Sequence, residues 1–156
     1  MAKHGMTRAE RARAADPRSV PWPIGGEADL VAVDTTWGEL QPLVAAPGVR
    51  TVGELELVQL VEQGAVLVDC RTRGSFGGRT LPGSVLLPHD EIVVRRAELD
   101  QDGLSIVFCN GPQCPQSPDA VRRLLQAGYP PAALAYYRGG LHDWVTLALP
   151  TQPLED

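Results

Sequence analysis

Residues 105–129 read SIVFCNGPQCPQSPDAVRRLLQAGY, and this stretch decides the fold. Ser105, Ile106, Val107 and Phe108 make a short apolar run of β type that ends on Cys109. A loop with Gly111, Pro112 and Pro115 follows, and a helix opens at Ser117-Pro118. Along that helix Ala120, Val121, Leu124, Leu125 and Ala127 cluster on one side, Arg122 and Arg123 point to water, and Gly128 ends it. A cysteine placed where a buried strand meets a helix N-terminus lies in the field of the helix dipole, which favours its thiolate. Cys109 is therefore read as a nucleophile. Ser117 is read first as the helix N-cap, with contact between its hydroxyl and the sulfur secondary.

Working outward, the same alternation of strand and helix fills the region from Val49 onward. Thr51 is a good N-cap, with Glu54 three residues later as in a capping box, and Leu55, Leu57, Val58, Leu60 and Val61 give a broad helical face stopped by Gly64. Ala65-Val66-Leu67-Val68 is a continuous apolar run, as expected of a central strand buried on both faces, and it delivers Asp69-Cys70-Arg71 to its C-terminal end. A short strand is expected at Val85-Leu86-Leu87 and a helix over 91–99 capped by Asp90. The last strand is expected over 133–137, and Gly139-Gly140 leads into a short helix carrying Leu141, Trp144 and Val145. The chain thus reads as α/β, with a mostly parallel sheet of about five strands covered on both faces and ligands at the strand C-termini, where Asp69, Arg71 and Cys109 fall.

Residues 1–50 read as an N-terminal extension, basic and disordered at first and then packed across the domain. Pro17, Pro21, Pro23 and Gly25-Gly26 argue against regular structure there. Trp22, Trp37, Leu40, Leu43 and Val44 are too apolar for a solvated linker, so the tryptophans are expected to act as anchors. Residues 151–156 read as a C-terminal tail.

Composition bounds the function. With 44% apolar and 21% charged residues the chain is of ordinary globular type, and no apolar run approaches the roughly 20 residues of a membrane span. The first 18 residues carry five basic and two acidic side chains, a net of +3, which leaves −8 for the rest of a chain whose formal charge is −5. That balance argues against nucleic acid, and the expected location is cytoplasmic. Three cysteines, Cys70, Cys109 and Cys114, make an odd number that suits reactive or buried thiols better than a disulfide scaffold.

Several separated segments, in the right order, give residues 51–150 a resemblance to the rhodanese-like domain family. Val68-Asp69-Cys70-Arg71 is similar to the family's strand ending in Asp-x-Arg. Thr80-Leu81-Pro82-Gly83-Ser84-Val85 resembles its His-Ile-Pro-Gly-Ala segment, with Thr80 in place of the common histidine. Gly139-Gly140 through Trp144, followed by Leu149-Pro150, resembles its Gly-Gly-x-x-x-Trp segment. The resemblance implies a three-layer α/β/α domain that acts as a sulfurtransferase. In such a reaction Cys109 takes sulfane sulfur from a small anion such as thiosulfate, holds it as a persulfide and passes it to a thiol, to cyanide or to a sulfur-accepting protein. No cofactor, metal or membrane is expected. Backbone N–H groups of Asn110, Gly111, Gln113, Cys114, Gln116 and Ser117 are expected to hold the persulfide anion.

The loop departs from the family pattern. Gly111 comes two residues after Cys109, Pro112 sits where glycine is expected, Cys114 stands where an arginine often does, and Ser117 follows by eight residues where six are usual. The loop reads as expanded by two residues and stiffened by proline. Pro115 occupies the position at which related phosphatases carry an arginine, which disfavours phosphoryl chemistry. Cys114 has three readings: a thiol that resolves or relays through Cys109, a metal ligand, or a lining residue. The first of these makes the chain a thiol–disulfide switch, and a docking or regulatory module without catalysis is a further alternative. Asp69 is expected to bond loop backbone or Arg71. Arg71, Arg73 and Arg79 are expected to give the pocket a positive rim. Cys70 reads as a buried side chain, His89 as a turn residue, His142 as a surface residue and Trp144 as core.

Overall fold

The computed structural model describes residues 22–24, 27–32, 40–73 and 78–154, with side chains from residue 40 onward. A five-stranded sheet runs through its centre, built from β3 (Arg50–Thr51), β4 (Val66–Asp69), β6 (Val85–Leu86), β7 (Ser105–Phe108) and β8 (Leu134–Tyr136) in the order β3-β8-β7-β4-β6. Every pairing in it is parallel. Parallel neighbours need crossovers: α1 (Glu54–Glu62) joins β3 to β4 and α2 (Gln116–Gln126) joins β7 to β8, while α3 (Gly140–Thr146) follows the last strand of the sheet.

Because side chains alternate along a strand, each central strand feeds two separate cores. Val68, Val107, Leu134 and Tyr136 pack with Ala120, Val121 and Leu124 of α2 and with Leu87, Ile92 and Leu99. Leu67, Ile106, Phe108, Ala135 and Tyr137 pack on the opposite face with Leu57 of α1 and with Leu141 and Trp144 of α3. The result is the expected three-layer α/β/α arrangement. It also sets the direction of the next residue along β7: after Val107 on the α2 side and Phe108 on the other, Cys109 returns to the α2 side.

Three local expectations are corrected. The helix begins at Glu54 with Gly53 at its N-cap. Thr51 lies in β3 and bonds the carbonyl of Leu43, while the Glu54 carboxylate accepts the Tyr137 hydroxyl at 3.0 Å, so no capping box forms. Residues 89–95 are a run of turns that ends in a 3₁₀ turn at Arg96–Glu98 rather than a helix over 91–99. Their backbone bonds are mostly of the i→i−3 kind, as from Arg96 to Val93 and from Glu98 to Arg95, and adjacent Val93 and Val94 are poor helix formers. In the extension, β1 (Trp22–Ile24) and β2 (Glu27–Ala32) pair antiparallel despite Pro23, which a two-stranded ribbon accommodates on an outward-facing edge. The anchoring expected of the tryptophan side chains lies outside the described residues.

The segments that flank the sheet, from residue 41 and over 151–154, are tied to it largely through backbone. Gln41 donates its N–H to the carbonyl of Pro112 at 2.7 Å, and its own carbonyl accepts both Nε and a terminal nitrogen of Arg138 at 2.9 and 2.7 Å. Ala45 and Ala46 pack on the α2-side core, whereas Leu40 and Leu43 are each 70% exposed. At the other end β9 (Gln152–Pro153) pairs antiparallel with β5 (Arg79–Thr80), and the Arg79 guanidinium bonds the backbone and hydroxyl of Thr151. Residues 151–154, set apart in sequence as a tail, are sewn to the segment that follows β4.

Candidate functional site

The site lies at the C-terminal ends of β4 and β7, beneath the first turn of α2. Cys109 is 2% exposed. Its Sγ accepts the Ser117 backbone N–H at 3.3 Å, sits 3.1 Å from Ser117 Oγ and donates to the Cys114 carbonyl at 3.4 Å. Ser117 is thus a contact of the sulfur from inside the helix, not a cap; Pro115 occupies the cap position and no side chain caps the end. The free N–H groups that every helix N-terminus presents are divided between two sulfurs. That of Ser117 goes to Cys109, that of Gln116 to the Cys114 thiol, and Pro118 has none.

Cys114 is as buried as Cys109, and the two thiols are close enough to perturb one another. Burial pushes the Cys109 thiol well up, and neighbouring Cys114 pushes it further, against the opposing pull of Ser117. Burial also opposes ionisation of Cys114, but neighbouring Cys109, the N–H groups of Gln116 and Asn110 and the charge of Arg71 outweigh it and hold its thiol below the ordinary range. The two sulfurs therefore ionise as a coupled pair that shares the donors of the helix end. Sequence reasoning gave the dipole to Cys109 alone because the path of the loop, which delivers the second sulfur to the same helix end, is not visible in a residue pattern.

Beneath the loop lies a buried ion pair. Arg71, Asp69 and Thr80 are all fully buried. The Arg71 guanidinium bonds Asp69 at 2.7–3.2 Å, the side-chain carbonyl of Asn110 at 3.0 Å and the backbone carbonyl of Arg79 at 2.6 Å, while Thr80 Oγ1 donates to Asp69 at 2.8 Å. Asp69 has the structural part expected of it. Arg71 is no rim; it is a strut that joins the end of β4 to the first loop residue and to the Arg79 strand. Arg73 pairs with Glu91 at 2.5 Å and Arg79 with Thr151, so both guanidinia are engaged away from the sulfurs.

The Gly-Gly segment fixes the loop from above. Leu141 and His142 donate their N–H groups to the carbonyls of Cys109 and Asn110 at 3.0 and 2.7 Å. Gly140 has φ +61°, and a Cβ there would lie 2.4 Å from the Cys109 carbonyl oxygen and 2.8 Å from the Gly111 nitrogen. Gly111 is itself packed on His142, where a Cβ would approach within 2.8 Å. The Cys114 N–H, expected as an anion donor, instead closes a turn onto the Gly111 carbonyl at 3.0 Å. Gln116 reaches Thr72 Oγ1 at 3.4 Å, and Gln113 is half-buried on the loop.

Four neighbours, or their partners, escaped the sequence reading. The Tyr136 hydroxyl is buried beside the site without a hydrogen-bond partner, and its ionisation is suppressed by burial and by the two nearby thiols. Its place on the α2 side follows from strand alternation once β8 is set beside β7, and that was the available signal. Gln41 and Arg138 hold the outer side of the loop, a contact between residues far apart in sequence that no pattern announces. His89, read as a turn residue, has a partner in Asp119, 2.6 Å from its Nδ1. Among the described residues no group of three His, Cys, Asp or Glu side chains is placed to hold a metal ion, and no helix is long and apolar enough to cross a membrane.

A parallel α/β sheet with a cysteine-bearing loop wrapped over a helix N-terminus defines the class, and comparison with known proteins gives the family. Residues 54–147 match the Rhodanese-like domain family, and the chain belongs to it. It is 34% identical over 96 residues to a protein of Mycobacterium tuberculosis named as the HTH-type transcriptional regulator Rv0324. That match spans 61% of this chain and 41% of the regulator's length. Among solved structures it resembles a rhodanese-like domain of the Alr3790 protein from Anabaena sp., at 23% identity and TM-score 0.56 over 67% of this chain and 79% of the other. It also resembles a thiosulfate sulfurtransferase from Pseudomonas aeruginosa, at 24% identity and TM-score 0.56 over 72% of this chain and 24% of the other. These likenesses to solved structures carry the fold.

Proposed function

We propose that the protein is a sulfurtransferase in which Cys109 accepts sulfane sulfur as a persulfide. The observation that carries this reading is the placing of Cys109 Sγ at the end of β7, with the Ser117 N–H 3.3 Å away and its hydroxyl 3.1 Å away. The thiolate attacks the outer sulfur of an anion such as thiosulfate. A sulfur–sulfur bond to Cys109 forms, the donor's own sulfur–sulfur bond breaks, and sulfite leaves with the electron pair. Donors at the helix end offset the negative charge that remains on the persulfide. Little proton transfer is needed, which agrees with a site whose histidines, His89 and His142, pair with Asp119 and Asp143 instead.

The test mixes reduced protein with thiosulfate and quenches early with an alkylating agent. Sulfite release and an alkylated persulfide on the Cys109 peptide are expected, and Cys109→Ser abolishes both. Sulfite release that persists in Cys109→Ser overturns the assignment. The name of the M. tuberculosis relative supports a second reading, a regulatory domain that senses sulfur species through the same cysteine. Burial of Cys109 to 2% exposure favours it, since a thiol covered by its own loop reports a single modification more readily than it turns over. Modification that stops after one round, even with excess thiol acceptor, separates the second reading from the first.

A further inference from the structure

We propose that Cys114 resolves the Cys109 persulfide, expelling its outer sulfur as hydrosulfide and leaving a Cys109–Cys114 disulfide. This rests on the persulfide reading above and adds the fate of the sulfur. The two thiols lie together inside the loop: Cys109 Sγ is 3.4 Å from the Cys114 carbonyl oxygen, and both residues are buried. The sulfur within reach of Cys114 is Sγ of Cys109, which becomes the inner sulfur once the persulfide forms. The loop, moreover, equips Cys114 as an attacking thiolate. Backbone N–H groups of Asn110 and Gln116 point at its sulfur, and Arg71, locked by Asp69, Asn110 and Arg79, supplies positive charge close by. Three separate elements thus converge on a residue that a simple loop lining does not require.

The step balances without an outside oxidant. The Cys114 thiolate attacks Cys109 Sγ; a bond forms between the two Sγ atoms and the bond from Cys109 to the outer sulfur breaks. The outer sulfur takes up the proton that the Cys114 thiol gives up and leaves with the electron pair as HS⁻. Sulfane sulfur is reduced to sulfide while two thiols are oxidised to a disulfide. A further round requires a thiol or dithiol reductant, which breaks the disulfide by exchange. The acceptor of this protein is then a reductant rather than a sulfur-accepting anion, and its inorganic product is sulfide.

The test incubates reduced wild type, Cys114→Ser and Cys109→Ser with thiosulfate, without any other thiol, and follows sulfite, sulfide and intact mass. Wild type is expected to release sulfite and then up to one sulfide per chain, ending two hydrogens lighter with Cys109 and Cys114 in one cross-linked peptide. Cys114→Ser releases sulfite, keeps the extra sulfur atom and gives no sulfide. A dithiol added to spent wild type restores a second release. Wild type that releases sulfite but holds the extra sulfur, or whose cross-link runs to Cys70, overturns the proposal while leaving the persulfide reading intact. Wild type that releases no sulfite removes the persulfide reading and this proposal with it. The wild-type result decides by itself should the Cys114 variant not fold.

Discussion

At the scale of the residue, two glycines with positive φ show how differently one substitution acts. Gly140 (φ +61°) faces the Cys109 carbonyl at a distance no Cβ tolerates, whereas Gly128 (φ +88°) has nothing within 4 Å of its Cβ position. Gly128→Ala is expected to cost about 1 kcal/mol, the left-handed penalty alone. Gly140→Ala adds a backbone clash and is expected to cost about 2–4 kcal/mol, to be read from urea denaturation midpoints. The clash falls on the loop carbonyls, so sulfite release should fall more steeply in the Gly140 variant than its stability loss explains. Cys109 and Gly140 were both legible in sequence, the first from strand–loop–helix order and the second from its motif. What neither disclosed is that they touch.

At the scale of the element, the end of β4 carries the support of the site. Asp69→Ala leaves the Arg71 guanidinium buried with its carboxylate gone, and removing one partner of a buried pair is expected to cost about 3–5 kcal/mol. Arg138→Ala, by contrast, removes only the anchor of Gln41 on the far side of the loop. It is expected to change stability by about 1 kcal/mol and to speed alkylation of Cys109 and Cys114, measured by mass after timed exposure. Elements of strong pattern were legible for a plain reason. Ser105–Phe108 is a fully buried strand, and its alternation is enforced by two cores. The segment over 91–99 was misread because its apolar Ile92 and Val93 suit a helix face, while tertiary contact to the core is satisfied equally by consecutive turns. Arg71 was misplaced on the rim because exposure is the prior for arginine, and beside Asp69 its burial needs partners 39 and 8 residues away, Asn110 and Arg79, that no local pattern shows.

At the scale of the whole molecule, buried acids make stability depend on pH. Burial raises the thiols of Cys70 and Cys109 above the ordinary 9.0, and the hydroxyls of Tyr136 and Tyr137 above 10.0. As pH rises the unfolded chain loses these protons first, so their contribution is complete below about pH 9 and is lost as pH climbs towards the folded values. Cys114, shifted down, contributes in the opposite sense: its share is present above 9.0 and lost as pH falls through its lowered value. The denaturation midpoint is therefore expected to drop between about pH 8 and about pH 11, and Cys70→Ala should make that drop shallower. A midpoint unchanged over this interval sinks the prediction.

The pairing of β3 with β8 and of β5 with β9 has a consequence for how the chain acquires its shape. The edge strand near residue 50 finds its partner only after residue 135 exists, and Arg79–Thr80 waits for Gln152–Pro153. Such long-separation pairings delay folding, because the entropy of closing the loop must be met before any contact rewards it. During synthesis on the ribosome the two loop cysteines are therefore made well before the Gly-Gly segment that clamps them. Nascent chains stalled between residues 120 and 135 should show both thiols fully open to alkylation, and chains released with residue 153 in place should show them closed.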